Sequence, residues 1–147
     1  MVSSASDKST VKSAPRPTDA ELAILRVLWE RGPSTVREVH DELSSSQDTG
    51  YTTVLKLLQI MTDKGLVVRD ESQRAHVYSS SESEQRTQRK LIGDLMDRAF
   101  GGSPSKLMMQ ALSATKASPD ELTAIRRLLD AQIDFQQIDN QREGDAK

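Results

Sequence analysis

The stretch Thr49–Tyr78, TGYTTVLKLLQIMTDKGLVVRDESQRAHVY, decides how this chain is read. Val54, Leu57, Leu58 and Met61 recur at i, i+3, i+4 and i+7, which is one apolar stripe at the helical period. Thr52, Lys56, Gln59 and Asp63 fall on the opposite face, flanked by Thr53 and Ile60 on one side and Leu55 on the other. Thr49 is expected to cap the start, and Gly65 to turn the chain out of the end. Leu66–Arg69 and His76–Ser79 carry the Val, Leu and Tyr content of strands, and Asp70–Ala75 between them is polar enough for an exposed hairpin turn. A helix followed directly by a hairpin is the order of a recognition helix and its wing. The expected fold is mainly α, with an N-terminal winged helix-turn-helix.

Upstream, TDAE at Thr18–Glu21 is a capping box. It opens a helix with Leu22, Leu25, Leu28 and Trp29 on one face, stopped at Gly32-Pro33. A second helix starts near Ser34 or Thr35 with Val36, Val39 and Leu43 inward, and SSSQD ends it. The domain so defined covers 18–80 and comprises three helices and a β-hairpin.

Downstream, the pattern is helical throughout. Ser81 and Glu84 are spaced as a capping box before a helix that runs to Gly101-Gly102. Ser103-Pro104 opens a short helix, since proline suits the first helical position. Ser118-Pro119-Asp120-Glu121 caps a last one. Residues 81–138 are read as a three-helix dimerisation domain, with Leu91, Leu95, Phe100, Leu107, Met108, Leu122, Ile125 and Leu129 among the apolar positions facing a second copy. One chain cannot easily bury these faces alone. The ends, 1–17 and 139–147, are polar and read as tails, the first disordered.

Bulk properties exclude much. In 147 residues only 35% are hydrophobic and 3% aromatic, so two small units fit better than one large core. With no cysteine, disulfides, zinc-thiolate sites and a thiol nucleophile are ruled out. No apolar run is long enough to span a membrane, and residues 1–17 lack the apolar core of a secretory signal; a cytoplasmic protein is expected. No nucleophile elbow, zinc-binding helix, phosphate loop or convergent acid/base set is present, so no enzyme, metal or cofactor is expected. His40 and His76 are read as packing or surface residues, and the methionines as core filling.

A recognition helix and wing point to double-stranded DNA. The residues expected at it are Tyr51, Thr52, Thr53, Lys56 and Gln59 on the helix, with Arg69 and Arg74 on the wing. Thr, Lys and Gln side chains reach base edges or phosphate in the major groove, and wing arginines reach backbone or minor groove. Tyr51 either touches phosphate or packs against the second helix. The net charge of −2 opposes this reading. Between Arg16 and Ser80 there are eight Lys/Arg and ten Asp/Glu. Binding therefore needs Lys56, Arg69, Arg74 and Arg37 to converge locally. The rival reading is a winged helix used as a protein-interaction or structural module without sequence-specific DNA binding.

The order ELAILRVLWE, VREVHDEL, YTTVLKLLQIMTDKGLV and RAHVY resembles the BlaI/MecI/CopY penicillinase-repressor family over residues 18 to about 133. The resemblance implies a homodimeric bacterial repressor on a palindromic operator. Copper-responsive members carry a cysteine metal site near the C-terminus, which this chain lacks. In β-lactam-responsive members a membrane-sensor pathway inactivates the repressor by cleavage in the C-terminal domain at an Asn-Phe bond. The matching position here is Gln110-Ala111, in LMMQAL.

Overall fold

The computed structural model describes residues 16–145. They form two compact units, one ending at Asp94 and the other beginning at Leu95.

In the first unit, helix α1 (Asp19–Arg31) starts at the expected capping box: the Thr18 side chain accepts from the Glu21 N–H, and Glu21 accepts from the Thr18 N–H at 2.9 Å. Strand β1 (Ser34–Thr35) follows. Helix α2 (Val36–Ser44) opens on a second capping box, Thr35 with Glu38. Helix α3 (Tyr51–Lys64) ends at Gly65, which takes the left-handed conformation at φ 83° and ψ 14°. The wing is β2 (Val67–Asp70) and β3 (Val77–Ser80).

Two details differ from expectation here. Gly50, not Thr49, is the N-cap of α3, and no side chain caps that end. The sheet has three strands in the order β1-β3-β2, with Ser34 opposite Tyr78 and Arg69 opposite Tyr78 on the other side. A two-residue strand is too short to show a period-two pattern, so only the pairing reveals β1.

The core joins α1, α2, α3 and the sheet. Ile24, Leu25, Val39, Val54, Leu58, Met61 and Tyr78 are all essentially buried, and Leu28, Val36, Leu43 and Val67 complete it. The stripe Val54, Leu58 and Met61 turns α3 inward, which leaves Thr52, Thr53, Lys56 and Gln59 on the open side. Trp29 closes the far end. Its indole N–H donates to Ser80 Oγ at 2.9 Å and to the Glu82 carbonyl at 3.2 Å, fastening α1 to the end of the wing.

Helix α4 (Glu84–Ala99) is capped by Ser83, whose hydroxyl accepts from the Arg86 N–H; the expected Ser81 lies two residues too early. Arg16 forms an ion pair with Asp94. Of the expected tail 1–17, residues 1–15 fall outside the described residues.

The second unit holds the end of α4, then α5 (Pro104–Ala114) and α6 (Pro119–Asp145). The expected caps form: Ser103 accepts from the Lys106 N–H, and Ser118 from the Glu121 N–H at 3.1 Å. The expected polar tail from 139 is instead helical to Asp145, because Asn140, Gln141, Arg142 and Glu143 are compatible with a helix that α6 has already nucleated. None of the described residues in this unit is buried. Leu95, Leu122 and Leu129 are exposed, as are Leu128, Ile133, Phe135 and Ile138, while Phe100, Leu107, Met108 and Ile125 are half-covered.

Candidate nucleic-acid interface

The first turns of α2 and α3 and the wing meet around an open cleft of about 450 Å³, lined by Thr35, Val36, Arg37, Tyr51, Leu55, Arg74, Ala75, His76 and Tyr78. Each element is placed by its own local chemistry. The Thr35–Glu38 box fixes where α2 begins. The buried stripe of α3 sets its rotation. An Asx turn shapes the wing: the Asp70 carboxylate accepts from the Ser72 N–H at 2.9 Å, and this bond holds its carboxyl below the usual range.

Tyr51 packs against α2 and faces the cleft. The Arg37 guanidinium lies 5.5 Å above its ring centroid, and the His40 ring meets it edge-on at 6.0 Å. A cation over an exposed aromatic face contributes about 0.5–1 kcal/mol. That offsets the penalty of a cation in the first turn of α2, at the positive end of the helix dipole. Sequence reasoning did not tie Arg37 to Tyr51.

Several carboxylates of this domain pair with cations away from the cleft or on the wing. Arg31 pairs with Glu38 at 2.9 Å and with Glu42 at 3.2 Å. Lys64 pairs with buried Glu21 at 2.8 Å. Glu71 lies near Arg69 at 3.6 Å and His76 at 3.7 Å. Among the described residues, Arg37, Lys56 and Arg74 take no ion-pair partner. These three cations therefore keep their full charge for a ligand, although the domain is not basic.

The expected site residues divide accordingly. Tyr51 and Arg74 come together on the cleft with Arg37. Thr52, Thr53, Lys56 and Gln59 lie exposed along α3. Arg69 is the odd member: it is half-buried, its Nε has no hydrogen-bond partner, and part of its charge is spent on Glu71. Asp63 is exposed in the last turn, at the opposite end of α3 from the cleft.

Three helices on a shared core, the third with an open polar face, followed at once by a hairpin, define a winged helix-turn-helix. The chain belongs to the penicillinase-repressor family, whose model, described as Penicillinase repressor, matches residues 17–131. It is similar to the transcriptional regulator BlaI of Mycobacterium tuberculosis, at 35% identity over 113 residues covering 76% of this chain and 80% of that one. It is also similar to the penicillinase repressor of Bacillus licheniformis, at 22% identity covering 82% and 94%. Among solved structures it is similar to the monomeric form of Bacillus licheniformis BlaI in complex with the blaP half-operator. That match has 28% identity and a TM-score of 0.45, covering 51% of this chain and 92% of the other. The family is made up of transcriptional repressors, which are not enzymes.

Proposed function

We propose that two copies of this chain bind a palindromic operator and repress transcription by occluding the promoter. The observation that carries this is three cations without an ion-pair partner among the described residues, Arg37 at the start of α2, Lys56 on the open side of α3 and Arg74 on the wing turn, in a chain of a repressor family. Thr52, Thr53, Lys56 and Gln59 face base edges and phosphates in the major groove, and Arg74 reaches backbone from the wing. Arg69 contributes less, because Glu71 shares its charge.

Three such cations at the interface of each copy support modest affinity, so pairing two copies is part of the binding mechanism. The exposed leucines of α4 and α6, with Leu91, Phe100, Leu107, Met108 and Ile125, support association through the C-terminal helices. Two recognition helices then enter successive major grooves about 34–36 Å apart. The protein acts in the cytoplasm; among the described residues no helix is long and apolar enough to cross a membrane.

Release by a membrane-sensor or protease pathway at Gln110-Ala111 has a structural requirement. Both residues are exposed, but they lie within α5, and the Ala111 carbonyl accepts from Thr115 Oγ1 at 2.9 Å. A protease must unwind α5 first. An immunoblot during β-lactam exposure tests this: a full-length band that persists through derepression removes the idea. A use of the winged helix for protein interaction alone is disfavoured by the family. Mapping of bound sites genome-wide tests the function as a whole, with a recurring palindrome upstream of genes as the expected result and no enriched site as the contrary one.

A further inference from the structure

We infer that Arg37 is a phosphate-backbone contact, held in place by the ring of Tyr51, and that it forms one wall of a phosphate cleft whose other wall is Arg74. The inference rests on the DNA-binding reading and deepens it. It gives Arg37 a specific role among the cations of the site and makes Tyr51 a positioning residue.

Arg37 sits in the second position of α2, where a cation opposes the helix dipole. Of the three carboxylates on α2, Glu38 and Glu42 pair with Arg31, and Asp41, one turn beyond Arg37, lies 3.2 Å from His40 Nδ1; among the described residues none of them pairs with Arg37. What holds it is the Tyr51 face at 5.5 Å. Among the described residues no ion pair takes the Arg37 N–H donors, and those donors match phosphate oxygens in charge and geometry.

The platform is itself held. His40 meets the Tyr51 ring edge-on at 6.0 Å. The two ring nitrogens of His40 lie 3.2 Å from Asp41 Oδ1 and 3.2 Å from Ser44 Oγ, so the imidazole has a defined orientation. Across the cleft, Arg74 is exposed on the wing turn and unpaired among the described residues. Two arginines facing an open cleft of about 450 Å³ at the start of the recognition helix fit a phosphodiester that runs past the helix end.

The test measures binding of the full chain to a fluorescent duplex of random sequence over a salt series, because phosphate contacts are sequence-independent. Each lost phosphate contact lowers the slope of log affinity against log salt by about 1. Arg37→Gln is expected to lower the slope by about that amount per bound copy. Tyr51→Leu is expected to lower it in the same way, while Tyr51→Phe, which keeps the ring, retains the wild-type slope. A steep wild-type slope that Arg37→Gln leaves unchanged overturns the inference and leaves the DNA-binding reading standing. A Tyr51→Leu protein with an unchanged slope and an unchanged melting temperature overturns the positioning role. A wild-type chain that shows no salt-dependent DNA binding overturns both readings together.

Discussion

The Lys64 ammonium lies 2.9 and 2.8 Å from the two carboxylate oxygens of Glu21, 43 residues earlier in the chain. Glu21 is buried, and the same carboxylate completes the capping box of α1. One side chain thus starts the first helix and anchors the last turn of the recognition helix against it. Removing the ammonium strands a buried charge. Breaking a buried pair in this way costs about 3–5 kcal/mol. Lys64 retains some water access, with 28% of its side chain exposed, so Lys64→Ala is expected at about the low end, ~3 kcal/mol, in urea unfolding. A loss below the exposed-pair range of about 1 kcal/mol would show that the pair is only a surface contact.

The same pair sets an acid limit. Burial by itself raises the Glu21 pKa, but the hydrogen bond from Lys64, the bond from the Thr18 backbone and the Lys64 charge outweigh it and hold the carboxyl below 4.5. A carboxyl whose pKa is lower folded than unfolded stabilises the protein above its unfolded value. That contribution is lost as the pH falls through the folded value. Glu21→Gln should therefore be less stable than wild type at neutral pH, with the difference shrinking below about pH 4.5. Urea midpoints measured across that range check it, and a constant difference would contradict it.

Gly65 joins the recognition helix to the wing at φ 83°. A methyl group there would meet nothing within 4 Å, so the cost of Gly65→Ala is purely conformational. A left-handed L-residue costs about 1–2 kcal/mol. Calorimetry should show a corresponding drop in melting temperature with DNA contacts unchanged.

Lys56 and Arg74 differ in what they are expected to read. Lys56→Ala should cost about 1–3 kcal/mol of operator affinity if the ammonium contacts a base. Unchanged binding in a mobility-shift titration would make it a surface residue. Arg74→Ala should weaken binding evenly across operator variants, as a phosphate contact does. A loss confined to some variants would refute that role.

Much of this architecture is legible from local signals. The Thr18–Glu21 box, the stripe of α3, Gly65 and the Val, Leu and Tyr content of the wing strands all act over a few residues; the first three lie where their patterns place them, and each wing strand runs one residue later than expected. Thr35 with Glu38 is the same capping signal and could have been found at its spacing. Other features depend on distant partners. Ser34–Thr35 becomes a strand only because β3 lies beside it. Glu21 reads locally as a cap, and nothing near it announces Lys64. The composition of 139–145 reads as a tail, yet continuing an existing helix avoids a new nucleation cost. At the interface, sequence counting gave an acidic domain. Among the described residues, Arg31, Lys64 and Arg69 are paired while Arg37, Lys56 and Arg74 are not.

The central claim is that two copies read DNA through α3 and the wing. Footprinting of the full chain on a mapped palindrome, with the bound stoichiometry measured in parallel, tests it most directly. The expected result is two chains per site, with protection repeated about one helical turn apart and lost steeply as salt rises. A single chain per site, or protection that is insensitive to salt, would contradict it.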